Sequence, residues 1–182
     1  MSTECPILTG IFDGFSWIRC EGKGSFLNSP AMKEFGDDRI ASGERCLVVD
    51  LGGCSGMDST FMGTLAGMAA RLSAQENAGL QIADAGSRNR RSLEDLGLDF
   101  LMEIDPPQAA WRGAIDTIRA DLKIPATISP SDSLQRTKHV LEAHQELSSR
   151  NEKNAGTFST VVTMLESELK DKLKEAGSSG KE

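Results

Sequence analysis

The stretch "VVDLGGCSGMDSTFMGTLAGMAARL", Val48 to Leu72, changes its periodicity half-way. It opens inside Cys46–Leu51, the most apolar run of the chain, too short for an ordinary helix and rich in valine. Such a run reads as a strand buried on both faces. Further on, Phe61, Leu65, Met68 and Leu72 recur at spacings of four, three and four, which makes one stripe of a helix. Between them lies a glycine-rich loop ending in Asp58-Ser59-Thr60. Asp58 or Ser59 is a good N-cap, its oxygen accepting from a backbone N–H that has no helical partner. Gly63 and Gly67 are one turn apart, and glycine inside a helix costs about 1 kcal/mol relative to alanine. Together they form a smooth face for close approach by another element, the protein's own sheet or a neighbouring helix.

Outward from this centre, strands and helices alternate. "ILTGIFDGFSWIRCEG" (7–22) reads as two short strands turning at Asp13-Gly14, with Trp17 and Ile18 on opposite faces. A loop, "GKGSFLNSP", follows. Ser29 as N-cap before Pro30 then predicts a helix over 30–43 closed by Gly43. After the Phe61 helix, which Gly79 is expected to end, "LQIADAG" (80–86) reads as a strand and "SRNRRSLEDLGLDFLMEI" (87–104) as a helix. Asp105-Pro106-Pro107 breaks the chain, and residues 107–123 resume as a helix. The alternation implies an α/β domain over residues 1–124 with a largely parallel sheet edged by the N-terminal hairpin.

Residues 125–131 have linker character, and beyond them the pattern is helical. Asp132 or Ser133 caps a helix to about Ser149. After a turn at 150–156, Phe158, Val161, Val162, Leu165, Leu169 and Leu173 form an amphipathic stripe. The expected arrangement is a helical hairpin over 132–175 folded back on the domain, since isolated helices of this length are marginal in water. The alternative is a homodimer through the Phe158–Leu173 stripe. Residues 176–182 are expected to be a disordered tail.

With 20 basic against 27 acidic residues, the net charge of −7 argues against nucleic acid and anionic membranes. No run of eighteen apolar residues occurs and the start lacks a signal-peptide pattern, so a cytoplasmic protein is expected. Cys5, Cys20, Cys46 and Cys54 are scattered without a CxxC pair, and Cys46 reads as a small buried hydrophobe. His139 and His144 are five residues apart, pointing about 140° apart on a helix, so they cannot share a metal. No metal or cofactor is expected.

Catalytic patterns fail at the loop. No Lys follows the glycines as a phosphate-cradling P-loop requires, and no G-x-G-x-x-G is present. "GCSGM" lacks the last glycine of a hydrolase elbow, and both histidines sit in the tail, leaving no evident base near Ser59. An enzyme with an unrecognised base is the weakest class.

The segment "VVDLGGCSGMDSTFMGTLAGMAARL" resembles the core motif of STAS domains, the anti-sigma factor antagonist family. In the usual form an apolar strand and short loop lead to Asp-Ser-Ser/Thr-Gly-hydrophobic-Gly opening a helix. "GLQIADAG" and "SRNRRSLEDLGLDFLMEI" are similar to that family's next strand and helix, and the resemblance spans roughly residues 7–122. It implies a STAS-like mixed sheet of four to five strands covered by helices, with a C-terminal helical extension outside it. It also implies a non-catalytic bacterial interaction switch acting in transcription regulation. Its partners would be an anti-sigma factor that doubles as a serine kinase, and a phosphatase. By position the phosphoacceptor is Ser59, with Thr60 second. The partner-binding residues are Asp58, Ser59, Thr60, Phe61, Met62, Gly63 and Gly67. Phe61 replaces the motif's first glycine, a bulky ring expected beside the acceptor. A STAS-type scaffold or ligand-sensing module without phosphorylation is the alternative.

Overall fold

The structure, a computed structural model, describes residues 6–125 and 132–180. Strands β1 (Ile7–Phe12) and β2 (Phe15–Cys20) form an antiparallel hairpin that turns at Asp13-Gly14, where Gly14 has φ +85°. β4 (Cys46–Asp50) pairs parallel with β2, β6 (Gly79–Ala83) with β4, and β7 (Glu103–Ile104) with β6. The sheet order is therefore β1-β2-β4-β6-β7. A second, two-stranded piece joins β3 (Gly22–Gly24) to β5 (Cys54–Met57). Neither was expected as a strand: each is short and glycine-rich, and each exists only by pairing with the other.

Alternation along β2 and β4 builds two cores. Ile18, Leu47 and Val49 face α1 (Ser29–Ala41), α2 (Ser59–Ser73) and α3 (Gly86–Asp95), where the stripe Phe61, Leu65, Met68 and Leu72 is fully buried. Trp17 and Val48 point the other way, against Trp111 and Ile118 of α4 (Ile115–Ala120). The two indoles meet edge to face at 5.4 Å, and Trp111 Nε1–H donates to Gln81 Oε1 (2.7 Å). β4 is thus buried on both faces, as its sequence indicates.

Several boundaries differ from the sequence reading. The N-cap position of α1 is Asn28, whose side chain makes no capping bond, and Ser29 lies inside the first turn. α2 stops at Ser73, and Gly79 instead opens β6. The helix expected over 87–104 breaks at Gly97, whose φ of +71° no helix accommodates, and Glu103–Ile104 become the edge strand β7. Residues 107–123 hold turns, a short 3-10 helix (Arg112–Ala114), the six-residue α4 and a bridge from Lys123 to Thr9 instead of one continuous helix.

α5 (Ser133–Ser148) starts at a capping box of Asp132 and Gln135 and packs along α2. α6 (Glu152–Ser178) turns back along α5 and continues three residues into the expected tail. Phe158, Val162, Leu165 and Leu169 are half-buried, whereas Val161, Met164 and Leu173 are exposed. The helices are pinned by Lys172 Nζ, which donates to Thr137 Oγ1 (2.7 Å) and pairs with Glu168 (2.8 Å). The greater part of the expected linker, 126–131, lies outside the described residues. Among the described residues no helix is long and apolar enough to cross a membrane.

Candidate functional site

The start of α2 is tied down from three sides. Asp58 is the N-cap: its Oδ1 accepts from Phe61 N–H (2.8 Å) and its Oδ2 from Phe26 N–H (2.8 Å), while its own N–H donates to Gly24 C=O (2.9 Å). One carboxylate therefore fixes both the helix and the loop between β3 and α1. That loop leaves Phe26 and Leu27 exposed next to the cap. Phe61 turns inward and is fully buried. A Cβ at Gly24 would come within 2.8 Å of its ring, so glycine is what lets β3 lie on it. The ring expected beside the acceptor is a core residue instead.

Ser59, half-buried, is the first residue of α2, and its Oγ lies 2.9 Å from His144 Nε2. His144 is 5% exposed, its Nδ1 lies 2.7 Å from Val140 C=O, and its ring stands edge-on to Phe158. A carbonyl only accepts, so Nδ1 carries a proton, and Nε2 faces the Ser59 hydroxyl. One turn away, His139 Nε2 is 2.8 Å from the buried Ser29 Oγ. Burial lowers His139 to about 4, with Lys33 adding repulsion and Asp58 and Asp37 opposing, so this ring is neutral near pH 7. The sequence reading that left no base near Ser59 is thus corrected: folding back of α5 carries both histidines onto hydroxyls of α1 and α2. No carboxylate orients His144, so the pair is not a Ser-His-Asp arrangement.

The glycine face of α2 receives α5. A Cβ at Gly63 would lie 2.2 Å from Ala143 O and 2.6 Å from its carbonyl carbon, so the two backbones touch. Gly67 sits looser: a Cβ there would lie 3.3 Å from Arg71 Nη1 and 3.5 Å from Glu146 Cγ. Between α1, α2 and α5 runs a groove of about 410 Å³ lined by Lys33, Thr64, Arg71, His139, Glu142 and Glu146 among others.

Two other polar features flank the site. At the strand ends the buried Asp50 accepts from Arg119 Nε and Nη2 (both 2.9 Å), Arg19 Nη1 (2.8 Å), Trp17 Nε1 (3.2 Å) and Gly52 N–H (2.9 Å). Burial pushes its carboxyl up, but the bonds from Arg119, Arg19 and Gly52 outweigh that and hold it below the usual carboxylate range. In β5, a hydrogen bond with the Cys20 thiol brings Cys54 down to about 6 against the opposing effect of burial, helped by backbone contacts with Gly56 and Gly24. Cys46 is half-buried and pushed up to about 11 by burial. Among the described residues no cluster of metal-ligating side chains occurs.

The strand, capped helix and glycine face coincide with a known domain: the STAS domain family model matches residues 7–109. The chain belongs to the STAS domain family. Several solved structures are similar to it. An anti-sigma factor antagonist from Mycobacterium paratuberculosis is 22% identical with a TM-score of 0.53, and 65% of this chain covers 97% of that one. The protein TM1081 is 16% identical (TM-score 0.50; 61% and 86% covered). The Bacillus cell fate determinant SpoIIAA in its phosphorylated form is 20% identical (TM-score 0.47; 62% and 97%). No curated protein gives a significant match.

Within this STAS fold the residues singled out in sequence divide by placement. Asp58, Ser59 and Met62 retain surface, whereas Thr60 and Phe61 are buried and Gly63 and Gly67 lie under α5. Sequence reasoning missed His144, His139 and Ser29. Its one usable signal was the pair Gly63 and Gly67, which announces a close neighbour without naming it.

Proposed function

We infer that the protein is a STAS-type interaction switch of the anti-sigma factor antagonist kind, acting in the cytoplasm without catalysis. It binds a protein partner through the start of α2 and is released from it by phosphorylation at Ser59. The observation that carries this is the place of the Ser59 hydroxyl: the first residue of a helix whose cap, Asp58, is already engaged, beside the exposed Phe26 and Leu27. A phosphate there adds about −1.5 to −2 charges. In the free protein the helix dipole and the first-turn N–H groups tolerate that charge. Pressed into an interface next to Asp58 it is repelled and desolvated, so binding is lost while the fold survives. Thr60 is a poorer acceptor because it is 4% exposed. The partners implied are a serine kinase that also serves as the anti-sigma factor, and a phosphatase that resets the switch.

The test is incubation of the protein with ATP and an extract of its own cells, read by intact mass and peptide mapping. One phosphate is expected, retained in Thr60→Ala and lost in Ser59→Ala. Label that survives Ser59→Ala overturns the assignment.

A further inference from the structure

The family match ends at residue 109, before α4, α5 and α6, and a chain with this fold is 97% covered by 65% of the present one. The fold therefore closes without the C-terminal hairpin, yet the hairpin sits on the start of α2. We propose that α5 is a detachable internal occupant of that face: it shuts Ser59 behind His144, and a partner reaches the hydroxyl only by displacing α5. This rests on Ser59 being the switch residue.

Three observations argue for closure and one for release. Ser59 Oγ already bonds His144 Nε2, and that ring, 5% exposed, packs against the hydroxyl. Phosphoryl transfer needs the donor phosphorus within about 3–3.5 Å of the attacking oxygen, so a kinase has to come to the hydroxyl itself. Gly63 touching the Ala143 backbone leaves no slack for α5 to slide aside while docked. Release is made feasible by how α5 is held. Its contacts at Ser59 and Ser29 are hydroxyl–imidazole bonds, each exchangeable for a bond to water, and a polar groove runs alongside. The apolar anchor is at the far end: Leu147 and Phe158 join the main core, and Asn154 Nδ2 donates to Leu96 C=O (2.9 Å). The hairpin can therefore swing about the Leu96 tether, lifting its first turns from α1 and α2.

Native-state hydrogen exchange on the full chain, followed by mass spectrometry in low denaturant, tests this without any partner. Peptides from residues 133–144 should open at least ten-fold more readily than β4, with little denaturant dependence. If they exchange only together with β4, in one global opening, α5 is core and the proposal falls. Gly63→Ala, which improves the helix propensity of α2 while colliding with Ala143, should raise exchange in 133–144 at least ten-fold and leave β4 as it was. Unchanged protection of α5, or loss of β4 protection along with it, overturns the proposal. In the ATP and extract assay the same variant should take up phosphate at Ser59 at least ten-fold faster. Independent opening of α5 with no phosphate on either chain upholds the clasp and removes only the acceptor assignment. Phosphate entering Ser59 while α5 stays protected overturns the clasp and leaves that assignment standing.

Discussion

Two polar clusters hold this chain to itself, and they are built from opposite materials. At the strand ends, Asp50 is sealed and charged, with donors from Arg119, Arg19, Trp17 and Gly52. Under α5, the Ser59–His144 and Ser29–His139 pairs are hydroxyl–imidazole bonds, and His139 lines an open groove. A buried carboxylate cannot be parted from its cations while the fold lasts, because it would be left desolvated and unpaired. A hydroxyl and a neutral imidazole lose far less when parted, since water replaces the bond. Charge stands where the chain must stay closed, and hydroxyl–imidazole bonds stand where an element can come away.

The sharpest way to break that contrast is Asp50→Ala. It leaves Arg19 and Arg119 facing a buried void, and should cost about 3–5 kcal/mol in urea denaturation. The same cluster has a pH signature. Because the folded carboxyl sits below its ordinary value of 3.8, its stabilisation is full above that value and is lost as pH falls through the lower, folded one. A loss below about 1 kcal/mol for Asp50→Ala would mean that the strand ends are as loosely held as α5.

Next in size is His144→Ala, which removes the Ser59 bond and the edge contact with Phe158. It should lower stability by about 1–3 kcal/mol, and hydrogen exchange should place the loss in α5, not in β4. An equal rise in exchange across the sheet would show that the two clusters share one cooperative unit.

What the sequence discloses follows the range of each interaction. Cys46–Asp50 and the Phe61–Leu72 stripe were readable because burial on a fixed face writes its period into the residues themselves. The turn at Asp13-Gly14 was readable because it is local chemistry. β3 and β5 were not, since Gly22 and Cys54 become strand only by meeting each other. The false helix through 97–104 arose because Leu98, Leu101 and Met102 keep the helical spacing, while the left-handed turn at Gly97 leaves no mark beyond one glycine. At the site, Asp58 as cap and the glycine face were local and legible. His144 reaches Ser59 across 85 residues, and nothing near Ser59 announces it. Asp50 meets Arg119 in the same way, a lone acid at a strand end whose partner is 69 residues on.

The smallest expected effect is at Ser29 and His139, and it sharpens the comparison furthest. Ser29→Ala removes one neutral hydrogen bond from the first half of α5, so it should cost about 0.5–1.5 kcal/mol. His139 itself should titrate near 4 in the folded protein when its ring protons are followed by NMR. The ordinary value is 6.5, so the unfolded chain takes up its proton first. The stabilisation from a neutral, docked ring is therefore complete above pH 6.5, declines as pH falls from 6.5 towards about 4, and levels off below. Over that window exchange in residues 133–144, corrected for its intrinsic pH dependence, should speed up relative to β4. A midpoint near 6.5 would mean that the ring is already in water and that α5 is off α1 in most molecules. The contrast would then stand, but with the open form as the resting state.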